Sequence, residues 1–136
     1  MANNTKTLKL AMRQHLLAVA AIQSKVGTRV FGHHFTEDEA GTVEHPLVIL
    51  ELNNGGSDYN RVWSSSLVDV YTYSKEGDTE AAELYDLVYD ALQAGCVGAP
   101  QGIHFLAVET ERPIEGLNPK TRAWFCRGTF RLTGAT

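Results

Sequence analysis

The densest group of side chains that could do chemistry lies between Gly32 and His45. A metal site needs ligands that one scaffold directs to one point, such as two histidines four residues apart on a helix. This segment has neither helical nor strand periodicity, so its two adjacent histidines do not provide that geometry. The pattern favours a solvated loop, with weak metal binding or a pH-sensitive contact as alternatives. The residues concerned are His33, His34, Glu37, Asp38, Glu39, Glu44 and His45.

Other reactive residue types lack the surroundings that catalysis requires. Ser64–Ser66 lies within a predicted strand, without the flanking glycines that expose a nucleophilic serine. Gly55-Gly56 is not followed by the Lys-Ser/Thr of a phosphate-binding loop, which indicates a hairpin turn. Cys96 and Cys126 lack the spacing of a zinc or redox motif, and we expect both to be reduced. The sequence therefore predicts neither an enzyme nor a cofactor.

Composition sets the class of protein. A chain of 136 residues with 43% hydrophobic residues is expected to form one domain, residues 1–136. Its net charge of −4 lacks the basic excess that non-specific nucleic-acid binding requires. The longest apolar stretches fall short of the roughly 18 residues that span a bilayer, and the first residues do not resemble a signal peptide. We therefore expect a cytosolic protein without a membrane segment.

Hydrophobic periodicity predicts two helices and five strands. One helix is expected over residues 7–22, and a second, with the clearest apolar stripe, between Asp78 and Gly95. Asp86 and Asp90 would lie on its solvated face. This order predicts an α+β fold, a mainly antiparallel sheet of four to five strands with two helices packed on one face. The strands are expected at residues 28–31, 46–52, 59–73, 103–110 and 123–132, with a loop at 111–122.

The third predicted strand is apolar on both sides. Trp63, Leu67, Tyr71 and Tyr73 alternate with Val68, Val70 and Thr72. One layer of helices covers only one face of a sheet, so something else must cover the other face. The chain's own loops and a second subunit are both open as candidates.

The last strand places basic residues on its polar side. Arg127, Thr129 and Arg131 face away from the side of Trp124, Cys126, Gly128, Phe130 and Leu132. A solvated surface is the favoured interpretation; the alternative is a contact with acidic residues of another subunit or partner, such as Glu37–Glu39. The candidate interface residues are Trp63, Leu67, Tyr71, Arg112, Lys120, Arg122, Arg127 and Arg131.

Three segments together resemble a known family. They are VGTRVF at residues 26–31, PLVIL at 46–50, and the strand-turn-helix run LVDVYTYSKEGDTEAAELYDLVYDALQ at 67–93. This pattern is similar to the small minor tail proteins of tailed phages and prophages, the tail terminator or tail-completion proteins of long-tailed phages. The similarity covers roughly residues 8–132, and its strongest part is the strand-turn-helix run.

The resemblance implies a structural protein of the virion. It implies an α+β subunit that forms a hexameric ring on the head-proximal end of the tail tube, ends tube growth and presents a docking surface to the head-tail connector. Its partners would be copies of itself, the tube protein and the connector or neck protein, with genomic DNA passing through the lumen without specific binding. It would assemble in the host cytoplasm. Arg29, Val70, Leu84 and Leu92 match the family pattern as packing residues, and no catalytic residue carries over.

Two other functions stay open at this point. A neighbouring neck component, such as a stopper or connector adaptor, would bind the portal-side ring instead of the tail tube. A small metal- or ligand-binding domain would use the segment between His33 and His45.

Overall fold

Two helices, three strands, a third helix and two more strands follow one another in this computed structural model, which describes residues 5–32, 43–53, 63–93, 104–119 and 121–135. None of the helices in these ranges combines the length and apolar character needed to cross a membrane. In chain order the elements are α1 (Thr5–Leu17), α2 (Ala20–Val26), β1 (Val30–Phe31), β2 (Leu47–Asn53), β3 (Trp63–Ser74), α3 (Asp78–Gln93), β4 (His104–Asn118) and β5 (Ala123–Ala135).

The strands form one sheet in the order β1-β2-β3-β5-β4. Every neighbouring pair is antiparallel except β1 and β2, where Val30 lies opposite Val48 in a parallel pairing. The predicted α+β fold with a mainly antiparallel sheet is confirmed. The helix predicted between Asp78 and Gly95 is α3, although Gly95 lies outside the described residues.

The first helical region is two helices, where the sequence predicts one helix over residues 7–22. Val19 is extended, with φ −84° and ψ 114°, and α2 then continues to Val26. Gly27 ends α2 at a φ of 62° and donates its N–H to the Gln23 carbonyl at 2.7 Å. The break changes the direction of the chain, so that Ile22 and Val26 of α2 are buried like Met12 of α1. The apolar pattern continues through the break, which is why periodicity alone did not show it.

All three helices pack on one face of the sheet, which we call the helix-side face. Thr72 fixes α3 there, because its hydroxyl donates to the Ala81 carbonyl at 2.8 Å. Tyr85 approaches β5 so closely that a Cβ at Gly128 would lie 1.8 Å from the Tyr85 hydroxyl oxygen. The sheet residues of this core are Val30, Val48, Leu50, Val68, Val70, Cys126, Phe130 and Leu132.

The opposite face, which we call the second face, is closed at one end by the chain's own side chains. Leu47, Ile49, Tyr73 and Ala123 are buried there, and Phe31, Val43, Tyr71 and Phe125 pack against them. The rings of Tyr71 and Tyr73 stack at 5.9 Å between centroids. Of the two candidates for covering this face, the chain itself therefore accounts for this end.

A buried polar pair follows the aromatic cluster on the second face. Thr129 donates its hydroxyl to Asp69 Oδ1 at 2.6 Å, and the two residues lie directly opposite each other on β5 and β3. Both are buried, at 5% and 7% exposure. The sequence places Thr129 with the arginines on a polar side, and the structure shows that this side is solvated only in part.

The expected loop over residues 111–122 is wrong, because β4 continues to Asn118. The loop was predicted because the segment contains proline and glycine, which are typical of loops. Pro113 is tolerated because β4 is an edge strand, where a missing N–H removes no ladder bond. Two bulges, between Glu109 and Glu111 and between Glu111 and Ile114, absorb the irregularity. The connection to β5 is short, and Arg122 closes it at φ 57° by donating its N–H to the Asn118 carbonyl at 2.7 Å.

Gly128→Ala tests the close approach of α3 to β5. The added methyl group has no space beside Tyr85, so we expect the free energy of unfolding to fall by about 1–3 kcal/mol. Gly77→Ala is the matched control, since nothing lies within 4 Å of its added Cβ. Urea denaturation measures both variants. Equal midpoints for the two would contradict the packing described here.

Thr129→Val tests the buried polar pair. The change keeps the shape of the side chain but removes the donor to Asp69, and the loss of a hydrogen bond to a buried carboxyl group costs about 1–3 kcal/mol. Thr129→Ser, which keeps the hydroxyl, should lose less. Thermal unfolding followed by circular dichroism makes the comparison, and a valine variant at least as stable as the serine variant would count against the pair.

Candidate functional site

The structure brings four of the predicted interface residues together on the second face. Leu67 lies opposite Arg131, and Tyr71 lies opposite Arg127, across the pairing of β3 with β5. Leu67, Tyr71 and Arg127 are half-buried, and Arg131 is exposed. Strand alternation placed each pair of residues on one side of its own strand, and the register of β3 with β5 brings the two pairs to one face.

Arg127 is held in place by two neighbours. Its guanidinium carbon lies 6.0 Å from the centre of the Tyr71 ring, and its Nη2 lies 4.0 Å from Glu111 Oε2. Burial raises the pKa of Tyr71, and the hydrogen bond with Arg127 lowers it by a smaller amount. An exposed ion pair of this kind contributes little stability. Its effect is to orient the guanidinium at the surface of the sheet.

Two aliphatic residues of β4 extend the same surface. Val108 lies opposite Arg131 and Ile114 lies opposite Arg127, and they are 64% and 52% exposed. Aromatic and arginine side chains beside exposed aliphatic ones are typical of the centre of a protein interface. The sequence prediction missed both residues. Ile114 lies in the expected loop, and the face on which Val108 lies follows only from the register of β4 with β5, which the sequence does not show.

The other predicted interface residues lie on β4 and its turn to β5, or have side chains outside the described residues. Arg112 is exposed within the second bulge of β4, and Arg122 is exposed in the β4–β5 turn. Trp63 begins β3 opposite Ala135, but its side chain lies outside what the structure describes, as does all of Lys120.

A second apolar surface lies at the turn end of the β4–β5 hairpin. Leu117 and Trp124 lie opposite each other and are 43% and 36% exposed. The sequence places Trp124 on the buried side of β5, and it does lie on the helix-side face. It stays exposed because it pairs with Ser74, at the end of β3 and before α3 begins. Together with Arg122, these residues form what we call the hairpin end.

The helix-side face carries an acidic surface and a pocket. Helix α3 contains five acidic residues and neither lysine nor arginine, and Asp86 and Asp90 are exposed as predicted. Between α3 and β4 there is a pocket of about 180 Å³, which we call the α3–β4 pocket. Its lining residues are Tyr89, Gln93, Ala107, Val108, Glu109 and Phe130.

Glu109 is the acidic group in the wall of this pocket. Tyr85 donates its hydroxyl to Glu109 Oε2 in a short hydrogen bond. Burial raises the pKa of Tyr85, and the bond to the Glu109 carboxylate raises it further. Tyr85 therefore stays protonated and fixes the position of the carboxylate. No local motif could reveal this arrangement, because it depends on how α3 packs across β4.

The histidine-rich segment is described only at its end, since residues 33–42 lie outside the described ranges. Arg29 joins α2 to the start of β2: it donates to the Pro46 carbonyl at 3.0 Å and pairs with Glu44 at 3.2 Å. His45 Nδ1 lies 3.0 Å from the Val43 carbonyl, and burial lowers its pKa. Among the described residues, no three His, Cys, Asp or Glu side chains are grouped so that they could hold a metal ion.

The remaining residues singled out from the sequence have packing surroundings. Val70, Leu84 and Leu92 are fully buried in the helix-side core. Cys126 is a free thiol whose pKa burial raises to about 11, which makes it a poor nucleophile at neutral pH. Cys96 lies outside the described residues.

Comparison with known proteins gives a match in structure. No family model and no curated protein matches the sequence. The fold is similar to that of a chain in the solved structure of the virion of a native gene transfer agent (GTA) particle, with a TM-score of 0.66 and 19% sequence identity. The similarity covers 95% of this chain and 95% of that one. At this identity, the two chains share a fold over nearly their whole length.

Proposed function

We propose that this chain is a non-enzymatic structural protein of a phage-like virion. Within that role, it forms a hexameric ring at the head-proximal end of the tail tube. The ring ends tube polymerisation and provides the surface to which the head docks. The protein then resides in the virion and assembles in the host cytoplasm.

The observation that carries the proposal is the fold shared with a chain of a GTA virion over 95% of both chains. The resemblance of residues 67–93 to tail terminator and tail-completion proteins supports the more specific role. That run forms β3, a turn and α3, which contribute much of the helix-side core. Two independent lines, sequence pattern and fold, thus point to the same class of particle.

The size of the subunit is the reason to propose a ring. A folded chain of 136 residues has a radius of gyration of about 14 Å. A single copy of that size cannot enclose a DNA duplex, so a passage for DNA requires several copies. Closed cyclic symmetry builds such a passage by repeating one heterologous interface.

The second face supports a role in assembly. Its own side chains bury one end, but Val108 and Ile114 stay exposed beside Arg127 and Arg131. Exposed aliphatic residues beside oriented cations suit a protein partner better than open solvent. A net charge of −4 also suits a lumen through which DNA slides, because few basic residues are left to hold phosphates.

Reversing two charges on the second face tests its part in assembly. We expect Arg127→Glu together with Arg131→Glu to weaken ring or tube assembly on the order of tenfold while the subunit stays folded. Lys75→Glu, in the turn before α3, is an exposed charge reversal away from the second face, with half the change in net charge, and controls for a general effect of surface charge. Sedimentation with and without the tube protein measures assembly, and circular dichroism measures folding. If assembly is unchanged in the double variant, the second face is not part of the interface.

Particles that lack the protein test its position in the virion. If the ring ends tube growth, electron microscopy of the deletion strain should show overlong tails without heads, because nothing caps the growing tube. Restoring the gene should return the tails to normal length. Tails of normal length that fail to join heads, or heads that leak DNA, would instead identify a neck component.

A further inference from the structure

We propose that the α3–β4 pocket receives the Arg122 side chain of the neighbouring copy, so that the hairpin end of one subunit inserts beside α3 of the next. This inference rests on the proposed ring and specifies the two surfaces that meet in it. Three observations support this contact: the side chains that line the pocket, the residues of the hairpin end, and the distance between these two surfaces on one subunit.

The pocket has the groups that bind a guanidinium. Tyr85 holds one oxygen of Glu109, which presents a fixed carboxylate at the pocket wall. Tyr89 and Phe130 add aromatic rings 6.2 Å apart, and Gln93 adds an amide. Arginine pairs with carboxylates through its planar fork of donors and stacks on aromatic rings, whereas a lysine has neither geometry.

The charges around the pocket favour a cation from outside the subunit. Asp86 and Asp90 are exposed on α3, and that helix has no basic residue to neutralise them. Arg127 and Arg131 alternate with Phe130 along β5, so they lie on the opposite face of the sheet from Glu109. Within one copy, the sheet therefore separates these two arginines from the pocket.

The hairpin end has the composition of an interface anchor. Exposed Leu117 and Trp124 lie opposite each other, and exposed Arg122 precedes Trp124 by two residues. Tryptophan and arginine are enriched among the residues that dominate binding energy at interfaces. A second copy, with its acidic α3 surface and aromatic pocket, supplies the complementary charge and an apolar surface.

The two surfaces lie far apart on one subunit. Phe130 lies opposite Glu109, and Arg122 precedes Phe130 by eight positions, which at about 3.3 Å per residue is a separation of about 26 Å. A contact between two different and distant surfaces is heterologous. Such a contact repeats from copy to copy and closes into a ring when the rotation between copies completes a circle, unlike the self-complementary contact of a simple dimer.

Charge exchange between two variants tests the contact. Glu109→Lys alone and Arg122→Glu alone should each lose the ring, because like charges then meet at every interface. A 1:1 mixture should restore it as an alternating ring: the introduced lysine meets the introduced glutamate, and the native pair forms at the other interfaces. Analytical ultracentrifugation measures the native mass against six times the 14.9 kDa of one chain, with and without the tube protein.

A milder variant separates loss of the contact from loss of the fold. Glu109→Gln keeps an oxygen that accepts the Tyr85 hydroxyl but removes the charge, so we expect a folded subunit whose ring dissociates on the order of tenfold more readily. Glu115→Gln is the matched control, an exposed glutamate on the same strand and face that does not line the pocket.

Each outcome decides a different point. A wild-type ring that Glu109→Gln leaves intact would overturn this contact and leave the proposed function standing. Loss of the ring in both single variants without recovery in the mixture would overturn the pairing with Arg122. A wild-type chain that stays monomeric even with the tube protein would overturn the proposed ring, and this contact with it.

Discussion

The contact between α3 and β5 is the constraint on which the rest of the structure depends. The Tyr85 hydroxyl occupies the space that a side chain at residue 128 would fill, so α3 lies directly on the sheet. From that position the same hydroxyl reaches Glu109 on β4, two strands away from β3. One tyrosine thus sets the spacing of the helix-side core and fixes the carboxylate in the wall of the α3–β4 pocket.

Different parts of the chain cover the two faces of the sheet. Within the described ranges, helices cover the helix-side face, while the second face is closed at the aromatic end around Tyr73 and at the Asp69–Thr129 pair. Arg127 and exposed Ile114 lie on one side of that pair, and Arg131 and exposed Val108 lie on the other. Among the described residues, the exposed large apolar side chains of the sheet all lie on the β4–β5 hairpin, and the candidate partner surfaces are concentrated there.

The sequence predicted those parts that local periodicity determines. The stripe of α3, from Ala81 to Leu92, is buried as expected, and the alternation of β3 correctly placed Leu67 and Tyr71 on one side of the strand. The break at Val19 and the extension of β4 through Pro113 were missed, because tertiary contacts override local signals there. The pocket could not be predicted from the sequence, because Glu109 of β4 contacts Tyr85 of α3 only once these two elements pack together.

The irregular shape of β4 has a consequence for how copies can meet. An edge strand with a free row of backbone groups invites another strand to join, and repeated joining produces fibres. Pro113, two bulges and the charged residues around them make β4 a poor template for such growth. Neighbouring molecules must then recognise each other through side chains, so a concentrated pool of newly made subunits does not grow into fibres by adding strands at this edge.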